Sequence, residues 1–236
     1  MKYNIDLHTH TVASGHAFCT LSEMIQAAAD KHVEWLGITE HSSGFPYGCN
    51  DIYFENLYMI PRKQYGVNLL LGAEMNILNT AGDLDVNENI ISNLDLRIAG
   101  VHSLCYQQGT REENTAGMIK VIRNPLIHII SHPGDGTTEL DFLPIVLAAK
   151  ECHTLLEINN SSLKPIRKKI NARSNNLEIL RLCKEYEVPI ILGSDAHFTL
   201  DIAEFSLAAE LINEIDFPNR LIMNNSMDEI RKYLSL

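Results

Sequence analysis

The sequence lacks the features of a membrane-spanning or secreted protein. No run of about 18 apolar residues occurs, the length that a transmembrane helix requires. The opening stretch MKYNIDLHTH leads straight into a strand-like segment and shows no apolar signal core. We therefore expect no membrane partner and a cytoplasmic location.

Cysteine is scarce, and two common nucleotide-binding loops are missing. The five cysteines are an odd number and form no CxxC pair, which favours reduced thiols over a disulfide framework. Neither GxGxxG nor GxxxxGKS/T occurs. The signatures of dinucleotide-binding and P-loop folds are therefore absent.

Positive charge is also low. The chain has 19 Lys and Arg against 30 Asp and Glu, a formal net charge of -11. Such a chain is a poor candidate for extended nucleic-acid binding, which depends on contacts to phosphates. Bound cations could still reverse the field inside a pocket, so the composition disfavours an extended nucleic-acid surface and leaves a small-molecule pocket open.

Strand-like and helix-like segments alternate along all 236 residues, and we expect a single domain over residues 1–236. The predicted strands are Tyr3–His8, Trp35–Thr39, Val67–Gly72, Leu96–Val101, Leu126–Ile130, Thr154–Ile158 and Pro189–Leu192. The main predicted helices are Leu21–His32, Arg111–Arg123, Leu140–Ala149, Ser174–Tyr186, Leu200–Ile215 and Met227–Leu234. Thr20 with Glu23 forms a capping-box pattern, and Ser174 is a predicted N-cap.

Repeated strand–helix units predict an α/β fold with a parallel sheet covered by helices. Chemically capable side chains follow almost every predicted strand. An open sheet gathers its site at one switch point, whereas the strand ends of a barrel converge. The pattern therefore favours an α/β barrel of the TIM-like kind.

The motif Asp6-Leu7-His8-Thr9-His10 is the strongest local signal. Residues two apart on a strand point to the same face, so His8 and His10 can grip one ion. Asp6 could then hold a ring nitrogen of these histidines from behind. Near the other end of the chain, Gly193-Ser194-Asp195-Ala196-His197 repeats the geometry, and Gly193 allows a close approach of a neighbour.

Single imidazoles end three further apolar runs, and a carboxylate ends another. Glu74 follows Leu69-Leu70-Leu71-Gly72-Ala73, a place where a carboxylate is costly to bury unless paired or metal-bound. By contrast, His32, His128 and His153 fit structural roles. The nine candidate metal ligands are His8, His10, His16, His41, Glu74, His102, His132, Asp195 and His197.

These motifs, in this order, resemble the PHP (polymerase and histidinol phosphatase) superfamily. The carrying segments are Asp6–His10, Thr39–His41, Gly72–Glu74, Gly100–His102, Ser131–Pro133 and Gly193–His197. The chain length and the stretch Leu156-Glu157-Ile158-Asn159-Asn160-Ser161-Ser162 are most similar to the small stand-alone YcdX-type phosphatases. The resemblance implies a distorted seven-stranded (βα)7 barrel, a trinuclear metal centre and a homo-oligomer.

Carried over by position, the resemblance implies three ion sites that share Glu74 as a bridge. His8, His10, Glu74 and Asp195 would hold one ion; Glu74, His102 and His132 the second; His16, His41 and His197 the third. The expected metal is zinc, with manganese and iron as alternatives. Glu74 and Asp195 are also the candidate catalytic residues.

The resulting hypothesis is hydrolysis of a phosphate ester by a metal-activated water. Arg111 and Arg173 are candidate substrate-binding cations, beside Lys164 and Arg167. Two alternatives stay open. One is an amidohydrolase-like hydrolase, although no lysine occupies a predicted strand end to bridge metals; the other is a nuclease acting on phosphodiesters, which the acidic composition disfavours.

Overall fold

The computed structural model describes residues 3–234. Its centre is a parallel sheet in the spatial order β1-β2-β4-β5-β6-β7-β8, and the two-residue β3 pairs antiparallel with β4. The strands are β1 Ile5–Thr9, β2 Trp35–His41, β3 Lys63–Gln64, β4 Val67–Asn76, β5 Leu96–Gly100, β6 Ile129–Ile130, β7 Leu155–Asn159 and β8 Ile190–Gly193.

The first and last parallel strands meet and nearly close the sheet into a barrel. Thr9 forms a parallel bridge with Ala196, just beyond β8, and the backbone N–H of His10 donates to the carbonyl of Ala196 at 2.8 Å. Helices cover the outside of this sheet. The predicted seven-stranded α/β barrel is therefore confirmed.

Eight α-helices lie within the part of the chain that the structure describes. They are α1 Leu21–Asp30, α2 Asp51–Glu55, α3 Glu88–Ile91, α4 Arg111–Ile122, α5 Phe142–Cys152, α6 Ala172–Glu185, α7 Ser206–Glu214 and α8 Met227–Leu234. The capping box of Thr20 and Glu23 is confirmed at the start of α1. None of the described helices has the length and hydropathy needed to cross a bilayer.

Three predicted elements differ from the structure. Ser174 lies inside α6, whose N-cap is Asn171. The predicted helix Leu200–Ile215 is interrupted because Ala203 has a φ of 54° and its N–H bonds to a buried aspartate, so that only α7 is helical. The strand predicted at Leu126–Ile130 shrinks to β6, since a turn made by Asn124 uses the preceding N–H groups.

The barrel has different chemistry at its two ends. Apolar side chains from the first halves of the strands pack together with α8, forming a cluster that includes Ile5, Ile98, Ile191, Met227 and Ile230. A larger apolar cluster fills the space between the strands and the outer helices. The candidate ligands follow the carboxyl ends of the strands, away from α8.

Candidate metal centre

Glu74 is the centre of the cluster. It lies on β4, is fully buried, and both of its oxygens face imidazoles. Its Oε2 lies 3.3 Å from His8 Nε2, 3.4 Å from His10 Nε2 and 3.0 Å from His41 Nδ1. Its Oε1 lies 2.8 Å from His132 Nε2 and 3.4 Å from His102 Nε2.

Asp195 adds a second carboxylate on the side where the barrel closes. Its Oδ1 lies 3.4 Å from His10 Nε2, 3.8 Å from His8 Nε2 and 3.4 Å from His197 Nδ1. His197 Nε2 in turn lies 2.7 Å from His16 Nε2. The structure thus brings all nine predicted side chains into one cluster, with His16 at its exposed edge.

Several buried polar atoms in the cluster lack hydrogen-bond partners within residues 3–234, as expected for a site that binds a cation. Glu74 Oε2 and His41 Nδ1 are buried, and neither makes a hydrogen bond with any described residue. These two atoms lie 3.0 Å apart, but their contact does not have the geometry of a hydrogen bond. The Nε2 atoms of His8 and His10 face each other at 3.1 Å. Buried polar atoms without partners are costly, and this donor set of imidazole and carboxylate suits zinc and related ions.

Three groups of donors in the described residues lie close enough together to share an ion. They are His8 with His10 and Glu74, His41 with Glu74 and His102, and His10 with His41 and His197. The first agrees with the predicted set around Glu74. His41 belongs to both of the other groups, in one with Glu74 and in the other with His197.

The electrostatics keep the carboxylates ionised. Burial alone would raise the pKa of Glu74, but His8 and the other surrounding imidazoles hold it well below its usual value. Asp195 is partly buried, and His8, His10 and His197 hold its pKa well below normal. Anionic oxygens are therefore ready for a cation across the physiological pH range.

Two of the candidate ligands lie on strained backbone. His132 and Asp195 have φ values of 33° and 51°, a left-handed region that side chains other than glycine seldom adopt. Such residues cost of order 1–3 kcal/mol each and persist where the surroundings fix them. The strain turns both side chains towards Glu74 and His10 at the end of their strands.

One predicted supporting role was wrong. Asp6 accepts hydrogen bonds from Ser194 Oγ at 2.5 Å and from the N–H of Ala203 at 2.8 Å, and holds no imidazole. The pairing of β1 with β2 shifts register between Asp6 and Thr9, and Asp6 contacts Ser194 instead of the ring of His8 or His10. Burial raises the pKa of Asp6 to about 6 in spite of those hydrogen bonds.

The residue that does hold His8 is Glu157, which the sequence analysis did not select. Its Oε1 accepts from His8 Nδ1 at 2.7 Å. The available signal was a glutamate inside the apolar run of β7, where a carboxylate has to find partners. Gly193 makes room for it, because a Cβ at that position would lie 1.6 Å from Glu157 Oε1.

A cavity of about 200 Å³ opens above the cluster. Arg167 and Lys169 line it, together with Ser161 and Ser162. Of the four predicted substrate-binding cations, Arg167 lines the cavity, and the other three lie elsewhere. Arg111 is at the start of α4 with its Nε 3.8 Å from Glu139, Arg173 pairs with Glu214, and Lys164 pairs with Asp201 at 2.6 Å.

A barrel whose strand ends gather imidazoles around a bridging carboxylate defines a class of metal-dependent hydrolases. The model of the PHP domain matches residues 6–233, and the chain belongs to that family. The resemblance inferred from the motifs is confirmed.

Full-length relatives agree with this assignment. A probable phosphatase of Clostridium novyi is 44% identical over 234 residues, covering 99% of this chain and 95% of the relative. A probable phosphatase of Caldicellulosiruptor bescii is 41% identical over 236 residues, covering 100% of this chain and 97% of the relative. With the family, these relatives identify the chain as an enzyme that hydrolyses phosphate esters.

The fold also has a solved counterpart. The histidinol phosphate phosphatase of Lactococcus lactis, complexed with zinc, L-histidinol and phosphate, superposes with a TM-score of 0.60 at 21% identity. The match covers 92% of this chain and 95% of that one. At this level of identity it shows a shared barrel.

Proposed function

We propose that this chain is a metal-dependent phosphatase that acts on a small phosphorylated substrate at a centre of three divalent ions. The observation that carries the proposal is the convergence of seven imidazoles and Asp195 around Glu74. The whole chain, residues 1–236, would form the single PHP domain that holds this centre.

The nine side chains supply enough donors for three ions. His8 and His10 face Oε2 of Glu74 and also lie close to Asp195, and His102 with His132 face Oε1. His16, His41 and His197 would hold the outermost ion. Zinc suits this imidazole-rich set, and the zinc bound to the Lactococcus lactis enzyme supports that choice over manganese or iron.

Divalent ions at this place supply Lewis-acid chemistry, lowering the pKa of water and offsetting charge on a phosphoryl group. Glu74 would fix the spacing of the centre through its two oxygens, and Asp195 would close it on the β8 side. Phe45 stacks on His41 with ring centroids 4.2 Å apart, so that one wall of the pocket excludes water.

Arg167 and Lys169 are the cations best placed for the phosphate. Both line the cavity over the cluster. Arg167 Nε donates to Ser161 Oγ at 3.1 Å, and Lys169 Nζ lies 2.7 Å from Asp135 Oδ2. These contacts restrain the two side chains at the mouth, where guanidinium and ammonium groups can donate to phosphate oxygens. The small cavity favours a phosphomonoester over an extended phosphodiester.

The proposal is tested by assaying p-nitrophenyl phosphate, bis-p-nitrophenyl phosphate and an amide panel, before and after chelation. We expect phosphate release from the monoester that chelation abolishes and zinc restores. Amide hydrolysis without phosphate release would support the amidohydrolase-like alternative. Activity that survives complete chelation would rule out the metal mechanism.

Two ligand variants test the assignment of the centre. His8→Ala and His102→Ala remove donors from opposite sides of Glu74, and each should lower the bound metal measured by mass spectrometry. His153→Ala is the matched control, because His153 ends α5 and packs against Tyr233. Unchanged metal content in both ligand variants would contradict the ligand assignment.

A further inference from the structure

We propose that three acidic side chains outside the ligand set are positioning residues that fix which ring nitrogen of three ligand histidines carries the proton. The pairs are Glu157 with His8, Glu40 with His10 and Asp85 with His102. A neutral imidazole binds a metal through the nitrogen that lacks hydrogen, so the tautomer determines whether a lone pair faces the centre. The inference rests on the proposed function, since it takes these histidines as ligands.

Glu157 acts on His8 directly. Its Oε1 lies 2.7 Å from His8 Nδ1, while Oε2 accepts from the backbone N–H of His132 at 2.8 Å and from Asn159 Nδ2 at 3.0 Å. An ionised carboxylate only accepts. The proton of neutral His8 must therefore lie on Nδ1, which leaves the Nε2 lone pair facing Glu74.

Glu40 acts on His10 through Ser14. The Ser14 hydroxyl has one hydrogen, and it donates this to Glu40 Oε2 at 2.5 Å. Ser14 Oγ itself accepts from the backbone N–H of His41 at 3.0 Å. With its hydrogen committed, Ser14 Oγ can only accept from His10 Nδ1, which lies 3.0 Å away. His10 is thus a donor at Nδ1 as well.

Asp85 acts on His102 through Asn76. Its Oδ2 accepts from Asn76 Nδ2 at 2.6 Å, and its Oδ1 accepts from the backbone N–H of Asn76 at 2.8 Å and from Ser42 Oγ at 2.7 Å. This orientation of the amide leaves Asn76 Oδ1 2.8 Å from His102 Nδ1. The amide oxygen accepts, so His102 donates from Nδ1.

The three arrangements lead to one result. The Nε2 atoms of His8, His10 and His102 lie 3.3, 3.4 and 3.4 Å from a Glu74 oxygen, while every Nδ1 is occupied on the far side. Partners of this kind behind a ligand histidine typically change metal affinity 10- to 100-fold. A separate acidic residue thus stands behind each of these three histidines.

Glu157→Gln is the sharpest test. Two donors face Oε2, so the glutamine would place its oxygen there and its NH₂ towards His8. That ring would then have to accept at Nδ1 and carry its proton on Nε2, which removes it as a ligand. We expect zinc affinity, measured by competition with a chromophoric chelator, to fall roughly tenfold or more.

The spectroscopic readout is the Nδ1–H proton of His8, observed by NMR in zinc-saturated protein with ¹⁵N-labelled histidine. We expect this signal in the wild type and its loss in Glu157→Gln. Asp85→Asn should remove the corresponding signal of His102 and keep that of His8. A role limited to folding would lower Tm in both variants and leave the Nδ1–H signals of His8 and His102 in place, an outcome that would overturn the proposal.

Asp95→Asn is the matched control. Asp95 also accepts from a backbone N–H, that of Leu71 at 3.0 Å, and from Arg62 Nε at 2.6 Å, but it touches no ligand histidine. Zinc affinity within twofold of wild type in both Glu157→Gln and Asp85→Asn would overturn this proposal alone. A wild-type chain that binds no zinc would overturn it together with the proposed function.

Discussion

At the residue scale, Glu74 concentrates the chemistry of the molecule in one side chain. Five imidazole nitrogens lie within 3.4 Å of its two oxygens, and the carboxylate is fully buried. A buried anion is stable only where positive charge or donors surround it. The same surroundings that hold Glu74 ionised therefore suit it to the proposed role of bridge in a multinuclear site.

Replacing Glu74 by the isosteric Gln tests that role. The change keeps the volume and removes the charge, and an amide presents only one acceptor oxygen. We expect bound metal to fall and phosphomonoesterase activity to drop by more than about 100-fold. Loss of a residue that only supports a metal ligand already costs up to about 100-fold, and Glu74 is itself a proposed ligand. Glu139→Gln, at an exposed site, is the control, and full metal content in Glu74→Gln would contradict the assignment.

His128 gives a prediction about pH and stability. Burial and, to a smaller extent, the charge of Arg97 together lower the pKa of His128 to about 3. Arg97 Nε donates to His128 Nε2 at 3.0 Å. The unfolded chain protonates this ring near pH 6.5, so the folded state binds the proton less tightly. Stability is then fully present above about pH 6.5 and is lost as the pH falls towards 3, by at most about 1.4 kcal/mol per pH unit.

The measurement is the free energy of urea unfolding at several pH values for metal-free wild type and His128→Gln. The ligand histidines titrate alike in both proteins, so the difference isolates His128. We expect the wild type to lose stability faster than the variant between pH 6.5 and 4. Parallel curves would show that His128 does not keep its proton off in the folded state.

At the element scale, local signals predicted the fold better than distant ones. The capping box of α1 depends on residues three apart, and it forms as predicted. The helix predicted through Ala203 failed because Asp6, 197 positions away, captures the N–H of that residue. Glu157 was missed for the same reason, since its partner His8 lies 149 positions away and nothing in the local pattern joins them.

The clustering of the candidate ligands could be predicted because the barrel imposes a rule on their positions. Parallel strands end at one rim, so apolar runs that finish in His or Glu bring those side chains together. The rule gives proximity and leaves orientation open. The register shift in β1 and the left-handed backbone of His132 and Asp195 set the orientation, and both arise from tertiary contacts that a strand pattern does not contain.

The helix α8 closes the apolar end of the barrel, and Ile230 is its buried contact. Ile230 is fully buried in the cluster with strand residues such as Ile98 and Ile191. We expect Ile230→Ala to lower the free energy of urea unfolding by roughly 2–5 kcal/mol, through lost burial and the cavity left behind. Metal content per folded molecule should not change, because the ligands lie at the other end.

Lys232→Ala is the control on the exposed face of the same helix, where substitutions usually change stability by less than about 0.5 kcal/mol. A loss of metal in Ile230→Ala at temperatures where the protein stays folded would show that the two ends of the barrel are coupled. A loss of stability no larger than that of Lys232→Ala would show that α8 does not close the core.

At the scale of the whole molecule, the barrel separates stability from chemistry. One end buries aliphatic side chains that favour folding, while the other gathers nine ionisable groups whose mutual repulsion and desolvation oppose it. Acidic and imidazole groups packed this closely are most stable when cations lie among them. Metal binding should therefore stabilise the fold as well as enable catalysis.

Metal removal measures this coupling directly. A ligand that binds only the folded state stabilises it by about 2.7 kcal/mol at a free concentration 100 times its Kd, and each occupied site adds such a contribution. We expect dialysis against a chelator to lower Tm by several degrees and to abolish phosphate release, and we expect zinc to restore both in parallel. Separate additions of manganese and iron allow the metals to be ranked by the Tm that each restores.

Because His16 is exposed and follows Gly15, a loop residue with a φ of 81°, the ion that His16 would share with His197 should leave first. A titration of chelator should then remove activity in steps before most of the stability is lost, and a single step in which Tm and activity fall together would contradict a weaker third site.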